Sequence, residues 1–446
     1  MPTAIFTIAR SGLTATRRSL ELTAQNVANA ENPDYSRRIL TQGELVMTGN
    51  IGNNAQDSLG GVKPGVIERA ESSLVQRQAR DSASALAAAE AEFFAMKEAE
   101  SALETSGVYT GLVDFEAALT RLQNNPTEPA LRLSALEAGR KMAGNFRIAN
   151  GTLANARGLV QAETSAKTLT VNERAAELAK INADLVGARE GTAGRAALLD
   201  ARDKALRGLA EEFGINPTIN ANGTADVMLN GTPPVALVTG AIAQPLATSF
   251  AADGTVSFNV GGTPFVPAGG GMAGRANALA EMADLQASLD SLAVSAITLS
   301  NTAQANGVGN DGNPGAAFFS GTGAGSITMV LASADGLATA PAGAGPGSRD
   351  TANLAAFITA LGDPSGPITG TDSLLLSLSS RVSALETRSE GLSVVAASAE
   401  AELLRETGVD LDTEAANLIR LQQAFEANSR VIQVAAELFD TVLELR

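Results

Sequence analysis

Leu411-Asp412-Thr413-Glu414-Ala415-Ala416-Asn417-Leu418-Ile419-Arg420-Leu421-Gln422-Gln423-Ala424-Phe425 opens a proline-free run in which a large apolar residue returns at every seventh position, through Leu411, Leu418, Phe425, Ile432 and Phe439. Such spacing puts all five on one stripe of an α-helix. The start of the chain repeats the pattern with Phe6, Leu13, Leu20 and Val27. At 1.5 Å per residue, helices over 3–30 and 411–446 would be about 42 and 54 Å long, so one can lie along most of the other. Burying each large C-terminal seam residue is worth about 1.5–3 kcal/mol, yet a solitary helix offers nothing to bury them against. The two ends are therefore expected to pair as a coiled coil, and to fray without a partner. A stripe like this is ordinarily a core face. Here it sits at the extreme termini, with Gln422, Asn428, Ser429 and Gln433 interleaved as polar register-setting groups, and that combination suits assembly between chains.

Between the ends, long tracts of Ala, Leu, Glu and Arg without proline read as packed helices. Residues 70–106 predict one helix stopped by Gly107. A second block follows Pro126-Thr127-Glu128-Pro129, with Thr127 as cap and Pro129 in the first turn, and runs toward Gly191; Gly144, Gly151, Gly158 and Gly187 predict kinks or breaks in it. From Ile215 to Pro267 the pattern changes to short β-like runs divided by Asn222-Gly223, Asn230-Gly231, Asp253-Gly254 and Gly261-Gly262, a small antiparallel module. Helix returns at 275–306, a strand is expected at 327–331, a loop at 336–350, and helix again near Asp350 and from Ser373 to Glu406. The expected fold is mainly α with a small inserted β domain, an elongated multi-domain chain. Its expected parts are a terminal coiled-coil assembly domain (1–62 and 402–446), a mostly helical middle domain (63–214 and 268–401), and the β insertion (215–267).

Composition narrows the function. The 446 residues hold 45% apolar side chains, enough for a sizeable core. With 32 Lys and Arg against 48 Asp and Glu, the net charge is −16, which repels nucleic acid and anionic membrane surfaces. Cys, His and Trp are absent. That removes thiolate nucleophiles, His-based triads and Cys/His zinc sites, leaving carboxylate, hydroxyl or lysine chemistry. The first residues lack the apolar stretch of a secretory signal, and no run of about 18 apolar residues offers a membrane span. Export, if it occurs, is expected by another route, without a cleaved signal peptide.

Individual clusters read as structural. Asp200, Arg202 and Asp203 could be a carboxylate pair for acid–base work, but their spacing on a helix face is that of ordinary salt bridging. Asn306, Asn310, Asp311 and Asn313 suggest a calcium loop until its twelfth position, which is Ala317 and not an acid. The glycine runs at 321–325 and 343–347 lack the Gly-Lys-Ser/Thr of a phosphate loop. Arg10, Arg17 and Arg18 make a basic patch on the first helix, either a solvated face or one turned to acids on a neighbouring chain. No catalytic, cofactor-binding or metal residue is assigned, and no cofactor is expected.

After the first seam comes Asn26-Val27-Ala28-Asn29-Ala30-Glu31-Asn32-Pro33-Asp34-Tyr35-Ser36-Arg37-Arg38. This run resembles the signature of bacterial flagellar axial proteins of the rod, hook and junction, departing from it at Asn32 and Asp34. Asn26 and Asn29 can bond backbone at the helix end, Pro33 stops the helix, Tyr35 anchors the emerging chain, and Ser36 and Arg37 complete the pattern. The run 408–432 resembles the matching C-terminal helix. Within that superfamily, 107–127, Leu198-Leu199-Asp200-Ala201-Arg202-Asp203, and the stretch from Leu289 through Gly307 to Phe318-Phe319 resemble the hook-associated family of the hook–filament junction.

The resemblance implies a structural, non-enzymatic adaptor between hook and filament, outside the cell. Implied partners are other copies of itself, hook protein, the second junction protein and a flagellar export chaperone, with no nucleic acid and no membrane. The seam residues would form the assembly interface. The alternatives are a second junction protein or divergent flagellin, a secreted cell-wall hydrolase on a flagellar export tail, and a helical adhesin.

Overall fold

The computed structural model describes residues 2–44 and 60–444; the parts of the expected terminal domain at 1, 45–59 and 445–446 lie outside them. By its contacts the chain divides into two compact units, 1–85 with 170–246 and 393–446, and 86–169 with 247–392. These boundaries differ from those of the three segments expected above.

The first unit opens with α1 (Pro2–Ala28), a helix with no proline after its first residue. The antiparallel hairpin β1 (Arg38–Glu44) and β2 (Val62–Arg69) follows. To this unit belong the start of α2 (Ser73–Ser106), the end of α4 (Pro129–Gly187), and α5 (Ala193–Glu212), which Thr192 caps by accepting from the Arg195 N–H. Next come β3 (Ile215–Ile219), β4 (Ala225–Leu229), the two-residue β5 (Gly231–Thr232), β6 (Val235–Thr239) and β7 (Ile242–Ala243). β3, β4, β6 and β7 form one antiparallel sheet in that order. Alternation puts Ala225, Val227 and Leu229 inside and leaves Met228 exposed. Buried Asn182 of α4 ties this sheet down, exchanging bonds of 2.8 and 2.9 Å with the Ala225 backbone and donating to the Gly240 carbonyl. The unit closes with the end of α8 (Pro367–Thr407) and with α9 (Leu411–Glu444), which packs along α1.

The second unit holds the larger core. Gly107, in the left-handed region at φ 68°, ends α2 and lets α3 (Val108–Asn124) start at once. Phe115 of α3 lies edge-on to Phe318, Phe319 and Phe357, with ring centres 5.5, 6.1 and 6.0 Å away. Thus two stretches singled out in the sequence, 107–115 and 318–319, meet in one aromatic cluster. α6 (Gly270–Ala305) and α7 (Ala352–Leu361) pack beside it, and β8 (Leu246–Phe250), β9 (Val256–Val260) and β10 (Thr263–Pro267) lie side by side. Fully buried Arg132 holds the 334–339 segment: its guanidinium donates to the carbonyls of Pro126, Ala334, Asp335 and Leu337 and to the Thr339 hydroxyl. Burial pulls its pKa down, with Asp335 and Asp311 pulling back.

Three expectations need correction. α4 runs unbroken through Gly144, Gly151 and Gly158. A missing side chain costs a helix about 1 kcal/mol relative to alanine but removes no backbone hydrogen bond, and here Met142, Phe146, Ala149, Leu153 and Ala156 bury the opposite face. Glu128, not Thr127, accepts the first helical N–H, from Arg132. α8 begins at Pro367 rather than Ser373, because proline suits a first turn.

Candidate functional site

α1 and α9 lie antiparallel: Asn26 meets Glu414 and Gly12 meets Asn428. Two rows of residues define their faces. On α1 a buried row runs through Ala9, Thr16 and Thr23, spaced by seven, with Ala15, Leu22 and Asn26 buried beside it; on α9 the row of the same spacing is Glu414, Leu421, Asn428 and Ala435, buried at its two ends and half-buried between. The large apolar row expected from the sequence stands beside it. Leu13, Leu20, Leu418 and Ile432 are half-buried, whereas Phe6 (42%), Val27 (39%), Leu411 (53%), Phe425 (36%) and Phe439 (47%) remain exposed. Sequence reading missed the inner row because, Leu421 apart, its Ala, Thr, Asn and Glu residues give no apolar signal; the recurrence of small residues at 9, 16 and 23 was the available clue.

Small side chains bring the helices close. A Cβ on Gly12 would stand 2.8 Å from Asn428 Oδ1. Gly12→Val is expected to destabilise the helix pair by about 1–3 kcal/mol through overpacking, seen as faster amide exchange in α1 and α9; Gly12→Ala should cost less, since the Asn428 amide can turn away. α1 also packs on the β hairpin, where the Ser11 hydroxyl accepts from the Val62 N–H (3.0 Å) and Gln42 donates to Ser19 (3.2 Å).

At the base of the pair the signature turn folds into a polar clasp. Asn32 starts it: its carbonyl accepts from the Tyr35 N–H and its side chain from the Asp34 N–H, with Pro33 at the second turn position, where its fixed φ fits. Asn29 behaves as expected, donating to the Gln25 carbonyl at the helix end. Asn26 does more. Its Oδ1 accepts from the Tyr35 hydroxyl (2.7 Å) and the Arg38 N–H (3.1 Å), while Nδ2 donates to the Arg38 carbonyl (2.9 Å) and Glu414 Oε1 (3.2 Å). Burial raises the Tyr35 pKa, against the pull of Arg38, whose guanidinium lies 4.7 Å from the ring centre. Ser36 is half-buried, and the Arg37 N–H donates to the Thr407 carbonyl at the end of α8.

Beneath the turn, α5 presents Asp200 and Asp203 on one face. Arg38 and Arg69 each take one oxygen of Asp200, at 2.8 and 3.0 Å. Asp203 receives Arg69 (2.5 Å), Gln76 (3.1 Å) and two nitrogens of Arg202 (2.7 and 2.9 Å). Burial alone would lower the Arg69 pKa, but Asp203 and Asp200 outweigh it and the net is a rise. Lys204 and Arg207 reach Asp34 from the rim. With both carboxylates saturated by cations, the cluster joins turn, hairpin and helix; it holds elements together instead of exchanging protons. In the 306–313 loop, Asp311 accepts from the Asn313 backbone and side chain, a turn arrangement.

Comparison with known proteins gives the context. Residues 96–319, half the chain, match the model of the flagellar hook-associated protein FlgK helical domain. Residues 402–445 match that of the flagellar basal body rod FlgEFG protein C-terminal region. Flagellar hook-associated protein 1 of Bacillus subtilis is 23% identical over 498 residues, covering 98% of this chain and 96% of the relative. The Escherichia coli protein of that name is 24% identical over 249 residues, 54% of this chain and 44% of the relative. Among solved structures, the hook junction protein FlgK from Burkholderia pseudomallei aligns with a TM-score of 0.49 and 22% identity, over 55% of this chain and 46% of that one.

Proposed function

Because this chain belongs to the family of flagellar hook-associated proteins defined by the FlgK helical domain, we propose that it is a structural component of the bacterial flagellum, an adaptor joining hook to filament outside the cell. Its work is mechanical, not catalytic. In this reading 1–62 and 402–446 carry assembly, 63–214 and 268–401 form the helical middle, and 215–267 is a β insertion. Copies of itself, hook protein and the second junction protein are its partners, and an export chaperone covers the C-terminal helix before the chain leaves the cell without a cleaved signal.

The observation that carries this reading is the apolar row left exposed after α1 and α9 have paired. Phe6, Val27, Leu411, Phe425 and Phe439 are too large and too regularly spaced for a finished surface. They are the groups a neighbouring copy or a hook end would cover, with Leu13, Leu20, Leu418 and Ile432 beneath them. A carboxylate at Phe425 would have to be desolvated at such an interface. Phe425→Asp is therefore expected to abolish binding to isolated hooks, with unchanged melting of the second unit. Wild-type-like hook binding by this variant would refute the interface, and turnover of cell-wall polymer by the purified chain would favour the hydrolase alternative.

A further inference from the structure

Arg37 belongs to the signature turn, and its Nε, like those of Arg38 and Arg69, is buried without a partner; unlike theirs, the rest of its guanidinium makes no hydrogen bond or ion pair among the described residues. The neighbouring Arg38 and Arg69 both end on Asp200. The position of Arg37 is not loose. Its N–H donates to the Thr407 carbonyl and its own carbonyl accepts from the Ala70 N–H, both at 2.8 Å. These bonds fix it at the C-terminal end of α8, where helix carbonyls concentrate negative charge. Close by, Asp410 begins α9, its carboxylate accepting from the Thr413 N–H at 2.8 Å. That bond, with Arg37's charge as a lesser contributor, holds the Asp410 carboxyl below its usual range. The surroundings thus tolerate a cation there, and among the described residues its donor fork has no acceptor.

We propose that Arg37 receives a carboxylate from a second copy of this chain, at the point where α8 gives way to α9. The planar fork of a guanidinium matches a carboxylate in two parallel bonds. Acids exceed bases by 16 in each copy. On α9, Asp412, Glu426 and Glu437 are exposed and carry no ion pair among the described residues, so a neighbour brings free carboxylates. Arg37 then makes the joint between the two helices a contact point for the adjacent copy, separate from the apolar row.

The inference rests on the assembly reading above, and the two can fail separately. Labelled wild-type, Arg37→Gln and Arg37→Lys chains are loaded on isolated hooks, sparsely or to saturation, and their loss is followed after dilution in chloride buffer and in sulfate buffer. Arg37→Gln should melt like wild type as a free chain and, on saturated hooks only, dissociate about ten times faster, the loss of one charge-assisted pair. Arg37→Lys should fall between. Equal retention of wild type and Arg37→Gln at saturation would overturn the proposal. So would the same defect on sparse hooks, which would assign the contact to hook protein, or a defect confined to sulfate, which would assign the fork to an inorganic anion. A parallel fall in melting of the free chain would mean that Arg37 serves only the end of α8. Failure of the wild type to bind hooks at all would sink the assembly reading itself.

Discussion

Asn26→Ala is expected to cost the first unit about 4 kcal/mol, because one buried side chain satisfies four groups there. Without it the Tyr35 hydroxyl, both backbone polar groups of Arg38 and the Glu414 carboxylate all lose a partner. The alanine methyl fills too little space to exclude these groups from one another, and a water replacing the amide would have to reproduce four bonds at once. Urea unfolding followed by amide exchange would show it: α1, the signature turn and the start of α9 should open together, while the amides around Phe115 keep their protection. A loss below about 1 kcal/mol would mean that solvent already shares these bonds and that the clasp is looser than its distances indicate.

Asp203→Ala should be about as severe, at roughly 3–5 kcal/mol, by a different route. Arg69 and Arg202 have side chains only 3 and 4% exposed, and Asp203 is the carboxylate they share. Removing it leaves Arg69 with Asp200 and the exposed Glu71, and Arg202 with the Gly223 carbonyl. Desolvated positive charge then faces positive charge. The variant should unfold at lower urea, with a deficit that high salt relieves only in part because the group is buried. Asp203→Asn separates the contributions: it preserves acceptor geometry on one oxygen while deleting the charge. A variant as stable as wild type would show that the ion pairs contribute little beyond replaceable packing.

What could be read from the sequence was what is local. The turn around Pro33, the stop at Gly107, the short β runs divided by turn pairs between Ile215 and Pro267, and the seven-residue apolar rows at both ends each follow from residues within one or two turns of one another. The partners could not be read in the same way. Asn26 looked like a residue for its own helix end, as Asn29 is, but its bonds reach Arg38 and Glu414, set by how α1 and α9 pack. Asp200 and Asp203 were legible as salt-bridging groups, yet nothing in their own segment names Arg38 or Arg69 as the cations. Arg132 carried no signal, since its acceptors are carbonyls, which every residue has. The glycines of α4 misled for the opposite reason: intrinsic propensity argued for breaks, and tertiary burial of the other face outweighed it.

The small residues between α1 and α9 have a calorimetric consequence. Opening the inner row exposes Leu421 but otherwise mainly alanine, threonine, asparagine and glutamate, so less hydrocarbon per residue and more polar groups than a phenylalanine core, and these act on heat capacity with opposite signs. That contact should therefore carry a smaller heat-capacity increment per residue than the phenylalanine cluster of the second unit. Its free energy will vary with temperature along a flatter curve, so the ends keep nearly the same readiness to open in a cold cell and a warm one, while the aromatic core passes through its own stability maximum.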